Sequence, residues 1–213
     1  MPPTIDQLNA LQHFASTSWA LWSDQFDAAG CVEANRAQIL PFMQEHIQQL
    51  RTEVVFLGLN RSQGNLVEDF HPFFNFHTVP HRGDRTLKDY LQNHHLANLT
   101  GGYMTDLNSI EVNANGNQVN ADRNDFNIFT QQLNILASRT FTIVCFGGRV
   151  FRQLLGFLNL KQSDAAGLPH NILHVRTVWN QIQLDIHRVH HYSDRGYNHY
   201  HVLQLAAQLG HLN

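Results

Sequence analysis

Glu53-Val-Val-Phe-Leu-Gly58 and Thr140-Phe-Thr-Ile-Val-Cys-Phe146 are short, unbroken apolar runs, the first ended by glycine and the second followed by Gly147-Gly148. Both read as strands buried on both faces, which is the pattern of a parallel sheet. Between and around them lie segments of helical period. Phe126, Phe129, Leu133 and Leu136 share one face of a helix over 122–136, and a second helix follows the paired glycines at 150–158. Gly102 to Asp106, His170 to Arg176 and Gln181 to Val189 read as three further strands, and Gly196 to Leu209 as a closing helix. Asp84 is expected to cap a helix running from Arg85 to about Leu96. Strands alternating with helices imply right-handed βαβ units. The expected fold class is therefore α/β: a three-layer α/β/α sandwich around a central, mostly parallel sheet of four to five strands.

Upstream, Ile5, Leu8, Leu11, Phe14, Ala15, Trp19 and Trp22 recur at three- and four-residue steps, as do Ile39, Phe42, Met43, His46, Ile47 and Leu50. Residues 1–50 thus read as a helical extension on a single domain spanning 1–213, a length that suits one domain with extensions.

Composition limits the function classes. Of the 213 residues, 43% are hydrophobic and 15% charged, enough apolar material for a core and too few charges for a disordered chain. The longest apolar stretches, Val54–Leu59 and Phe141–Gly148, fall far short of the ~20 residues of a membrane span. The first basic residue is Arg36, so neither a cationic leader nor an Arg-rich transit helix is read, and the expected location is cytoplasmic. Cys31 and Cys145 are too few for a disulfide framework or a four-cysteine metal site. The net charge of −3 is unlike the basic balance of most nucleic-acid binders. Twelve of the 14 basic residues, however, are Arg, whose planar fork suits phosphate, and 15 His add charge below neutrality.

Ligands of parallel α/β sheets bind beyond the carboxyl ends of the strands. Three segments meet that condition. The first is Gly58-Leu-Asn-Arg-Ser-Gln-Gly64, where glycines allow a close backbone approach and Asn60 offers an amide. It leads into a loop with four Phe in the seven residues 70–76, which either plug the core or stack on a planar ligand. The second is Thr105-Asp106. The third is His187-Arg-Val-His-His-Tyr-Ser-Asp-Arg-Gly196. His187 and His190 would point to opposite faces of a strand, and no His-Glu-x-x-His pattern occurs, so no metal is expected. Arg61, Arg82, Arg85, Arg188 and Arg195 fall near these segments and favour a phosphate-bearing ligand.

Taken together, these segments resemble the uracil-DNA glycosylase superfamily, in its mismatch-specific thymine/uracil or single-strand-selective branches. Gly58-Leu-Asn-Arg-Ser62 is similar to the first motif, Gly-hydrophobic-Asn-Pro-Gly, and His191-Tyr-Ser193 to the second, His-Pro-Ser. Tyr103-Met-Thr-Asp106 resembles the family's middle strand, and Val144-Cys-Phe-Gly-Gly148 its third strand and turn. The resemblance covers about residues 50–210. It implies a DNA glycosylase that excises a damaged or mismatched base without metal or redox cofactor. Asn60 and His191 would be catalytic: Asn60 positions the attacking water and His191 donates to the base oxygen. Gly58, Leu59, Asp106 and one of Phe73, Phe74 or Phe76, with Phe74 favoured, would bind the base. Arg61, Ser62, Ser193 and Arg195 would hold phosphate, and the partner would be DNA.

Arg61 and Tyr192 stand where the family motifs have Pro, and Asp106 where some branches have Asn. A non-catalytic nucleic-acid, nucleotide or nucleobase-binding protein on the same fold is therefore the alternative. An unrelated α/β hydrolase or transferase for a small phosphorylated substrate is a third reading.

Overall fold

In the computed structural model, residues 1–23, 38–61, 72–73, 77, 82–93, 98–112, 118–168 and 172–191 are described. Their centre is a seven-stranded sheet. Its strands are β1 (Thr17–Trp19), β2 (Arg51–Arg61), β3 (Gly102–Val112), β4 (Thr140–Phe146), β5 (Ala166–Leu168), β6 (Ile172–Trp179) and β7 (Ile182–Val189), in the spatial order β1-β3-β2-β4-β7-β6-β5. The inner four, β3-β2-β4-β7, run parallel, whereas the β1–β3, β6–β7 and β5–β6 pairs are antiparallel.

The sheet is thus mixed and seven-stranded, not mostly parallel with four to five strands. The reason lies in the connection after β6. Trp179 pairs with Ile182, leaving Asn180 and Gln181 as a two-residue turn with φ of 47° and 67°. Positive φ at both central residues makes a type I′ turn, whose twist matches a hairpin. A crossover to a parallel neighbour needs a dozen or more residues, so two can only return antiparallel. Gln181 holds a conformation that costs a side-chain-bearing residue ~1–2 kcal/mol. Gln181→Gly is expected to stabilise the fold by about 0.5–1 kcal/mol after the entropy cost of glycine, read as a rise in the denaturation midpoint.

Alternation along β2, β3 and β4 divides the core between the two faces. One face buries Val55, Leu57, Tyr103, Leu107, Ile143 and Cys145. Against it pack α1 (Ile5–Leu11), α2 (Ile39–Glu45), α4 (Arg123–Leu136) and α5 (Gly148–Phe157) through Leu8, Ile39, Phe129 and Phe151, among others. The other face buries Val54, Phe56, Met104, Val144, Phe146 and Val189 beneath Leu87 and Leu91 of α3 (Arg82–Asn93).

Helix boundaries follow local chemistry. Asp122 and Asp125 form a reciprocal capping box at the start of α4, and Ala137 in the left-handed region ends it. Thr4 and Gln7 form another at α1, and the Gln7 amide also donates to Ile135 O at 2.7 Å, fastening α1 to the end of α4. Pro41 falls within the first turn of α2, where its missing N–H has no helical acceptor to lose. Asp84 lies inside α3 rather than before it.

The N-terminal region differs from its expected helical reading. Only Ile5–Leu11 of the first pattern is helical, and Thr17–Trp19 adds an edge strand antiparallel to β3. Trp19 enters the first core and Trp22 the second, so two residues expected on one helical stripe serve opposite faces. Among the described residues, no helix is long and apolar enough to cross a membrane. The expected helix from Gly196 to Leu209 lies outside the described residues.

Candidate functional site

Register brings two of the three flagged segments to one level. Leu57, Cys145 and Arg188 form an in-register row across β2, β4 and β7. Asn60 and His191 each lie three residues beyond that row, toward the carboxyl edge of the sheet. β4 stops short of them at Phe146, where Gly147, at a φ of 101°, turns the chain into α5. The Gly147 N–H donates to Val189 O at 2.8 Å, holding this turn beside β7. The ends of β2 and β7 therefore flank a position vacated by β4. With strands ~4.8 Å apart, two strand steps separate their backbones by about 10 Å.

Parity sets the face. Gly58 and Asn60 alternate with Phe56, and Asp106 with Met104, so all belong to the α3 face. The Phe56 and Phe146 rings stack with centroids 5.7 Å apart, and the His191 ring meets Phe146 edge-on at 6.2 Å. Asp106 pairs in register with Gly58, which has no side chain to fill the step between Asp106 and Phe146. Leu59 turns its side chain to the opposite core and offers the rim only its backbone. Arg61 is the last residue of β2. Ser62, Phe74, Ser193 and Arg195 lie outside the described residues.

Phe73, one of the three candidate stacking rings, is 1% exposed and packs edge-on against Trp19 at 6.5 Å, while its carbonyl accepts from Ser18 Oγ at 2.8 Å. It is a core plug. Asn108, beyond the strand expected to end at Asp106, lies in β3 opposite Asn60 and is 6% exposed. It puts an amide two residues beyond the nearly buried Asp106. Period-two alternation from Asp106 was the signal for it, hidden by the Asn-rich stretch that follows. None of Asn60, Asp106, Asn108 and His191 is without a partner.

The same edge of the sheet is cationic on its other, α5 face, to which Arg188 belongs through its row with Leu57 and Cys145. A Cβ on Gly148, the first residue of α5, would come within 3.2 Å of an Arg152 nitrogen and 3.3 Å of Arg188 Nε. Two guanidinium groups thus converge where the helix dipole is already positive, an arrangement that an anion relieves. Neither has a carboxylate partner among the described residues.

A second cluster lies lower on the β6–β7 hairpin. His174 and His187 are cross-strand partners with rings stacked 4.5 Å apart, and Asp185 pairs with Arg176 in register. The Asp185 carboxylate contacts His174 Nε2 and lies 3.1 Å from His187 Nε2. Burial lowers the His187 pKa to about 4, a shift that Asp185 opposes in part. The imidazole is therefore neutral at pH 7. His190, weighed with His187 and His191 in the sequence, is exposed beyond the strand and takes no part in the cluster. Cys145 is fully buried, which pushes its thiol well up and makes it a packing residue.

Compared with models of known protein families and with curated proteins, the sequence matches none of them.

Proposed function

We propose that the chain is a DNA glycosylase of the uracil-DNA glycosylase type, an N-glycosyl hydrolase that excises a damaged or mismatched base. The observation that carries this reading is the placement of Asn60 and His191 at one level and toward one face, on either side of the terminated β4. A parallel core with helices on both faces suits the same fold family.

In this reading the target nucleotide leaves the stack and its base enters the rim. The N-glycosidic bond breaks toward an oxocarbenium sugar and an anionic base. His191 donates a hydrogen bond to the base oxygen as charge grows there. Asn60 orients a water that adds to the sugar C1′. The water's proton passes to the departing base, leaving an abasic site and a free base. Arg152 and Arg188, at the start of α5, supply cations for backbone phosphate.

Asp106 favours a second reading, recognition without excision. An ionised carboxylate only accepts hydrogen bonds, whereas an amide there would both donate and accept. In the glycosylase reading, Asn108 supplies the amide and Asp106 selects a base edge rich in N–H groups. Incubation with oligonucleotides carrying uracil, hypoxanthine or mismatches, scored for abasic sites, separates the two. The glycosylase reading predicts base release from at least one. Salt-sensitive binding with no abasic sites would leave recognition alone.

A further inference from the structure

We propose that His174 Nε2, Asp185 Oδ1 and His187 Nε2 form a binding site for one divalent transition-metal ion of the zinc class, with a coordination position left open. The site stands apart from the rim and goes beyond the glycosylase reading. His187 lies on β7 and precedes His191, beyond that strand's end, by four residues, about 13 Å of extended chain.

Three observations meet here. First, each residue offers one ligand atom, and these atoms lie within 4.8 Å of one another. Ligand atoms of tetrahedral zinc, at bonds of about 2.0–2.2 Å, stand about 3.3 Å apart, so small side-chain shifts would bring all three onto one ion. Second, His187 is 2% exposed, yet neither ring nitrogen has a hydrogen-bond partner. Its Nε2 is near Asp185 by distance but misaligned for a hydrogen bond. A buried ring nitrogen without a well-aligned hydrogen bond carries a desolvation cost, and a metal bond at Nε2 would offset that cost at this nitrogen. Third, the surroundings suit a ligand set. Arg176 Nε lies 3.4 Å from Asp185 Oδ2, the oxygen that does not face the histidines, and so orients the carboxylate from outside. The stacked rings bring two imidazole nitrogens to one carboxylate, a donor set that zinc accepts.

The turn geometry explains why these residues meet. With Asn180 and Gln181 at the turn, His174 must pair with His187 and Arg176 with Asp185. An ion here would tie the two strands together near the middle of the hairpin. Three protein ligands leave a fourth position for water or an anion, as in sites that do chemistry rather than those that only fasten a fold.

The test is equilibrium dialysis of the untagged chain against zinc, with bound metal counted per chain, followed by loading with cobalt(II). One tightly held zinc per wild-type chain is expected, with affinity at least ~10-fold weaker in His174→Ala and Asp185→Asn and unchanged in His13→Ala, which removes an exposed histidine elsewhere. Zinc at about a hundredfold excess over Kd should raise the unfolding midpoint by roughly 5–10 °C in wild type alone. Cobalt should show the intense visible bands of a four-coordinate site. Equal zinc content in wild type and His174→Ala would overturn the proposal. Should both site variants fail to fold, cobalt bands as weak as those of the aqueous ion in wild type would overturn it too. None of these readouts depends on base excision.

Discussion

His191→Ala is expected to lower the rate of base release by about 10²–10³, and Asn60→Ala by a comparable factor, with little change in unfolding midpoint. The first figure is the cost of deleting one prepositioned donor to a developing anion, ~3–4 kcal/mol of barrier. It applies because His191 is held: its ring rests edge-on against Phe146, itself stacked on Phe56, so the imidazole is positioned before any ligand arrives. Asn60 lies near the end of β2 and His191 just beyond β7, and both are only half-buried, so their loss removes little packing. Two groups that act on one transition state are not additive. The double variant should therefore be scarcely slower than the worse single one. Single-turnover kinetics on the substrate that releases base most readily reads these rates. A drop of less than threefold in both single variants would remove Asn60 and His191 from the chemistry.

Gly101→Ala is expected to destabilise the fold by roughly 2–5 kcal/mol. Gly101 has a φ of 79°, and a Cβ there would lie 1.9 Å from Gln49 O. Positive φ costs an alanine ~1–2 kcal/mol, and overpacking against a backbone that cannot rotate away adds ~1–3 kcal/mol. The strain would spread, because the Gly101 N–H donates to Ala20 O at 2.9 Å and its carbonyl accepts from Arg51 N at 2.8 Å. These bonds join the end of β1, the start of β2 and the entry to β3. A substitution here loosens three strands at once, including the two that carry Asn60 and Asp106. Chemical denaturation measures the effect. A change below ~1 kcal/mol would mean that this junction relaxes freely.

The parts of the fold that were legible in the sequence are those where burial alone dictates the pattern. β4 matches its expected bounds because every residue from Phe141 to Phe146 faces one core or the other or lies half-buried between them. α4 was legible from its apolar face, and the structure adds the Asp122 cap that bounds it. Trp19 and Trp22 misled because a three-residue step is shared by a helix stripe and a chain that changes direction after a short strand. The β6–β7 hairpin was hidden because its turn is Asn180-Gln181 rather than the usual Asn-Gly, so the strongest short-range hairpin signal was missing. Without that turn, the pairing of His174 with His187 could not be derived, and the cluster with Asp185 stayed out of view. Asn108 was lost for a related reason. Asn has low strand propensity, and only its register beside Asn60 makes it part of a strand. In the candidate site, Asn60, Asp106 and His191 were legible as strand-end residues. That they share a face depends on register, which no single segment contains.

In the proposed function, Asn60 and His191 serve one ligand at the rim between β2 and β7. Histidine-selective NMR of the chain, titrated with DNA containing an abasic-site analogue and with the free base, addresses it most directly. The His191 imidazole resonances are expected to shift and saturate with the ligand, exposed His13 to stay fixed, and Asn60→Ala to abolish or greatly weaken the response. Saturable binding that leaves the His191 resonances unmoved, or a His191 response identical in Asn60→Ala, would contradict it.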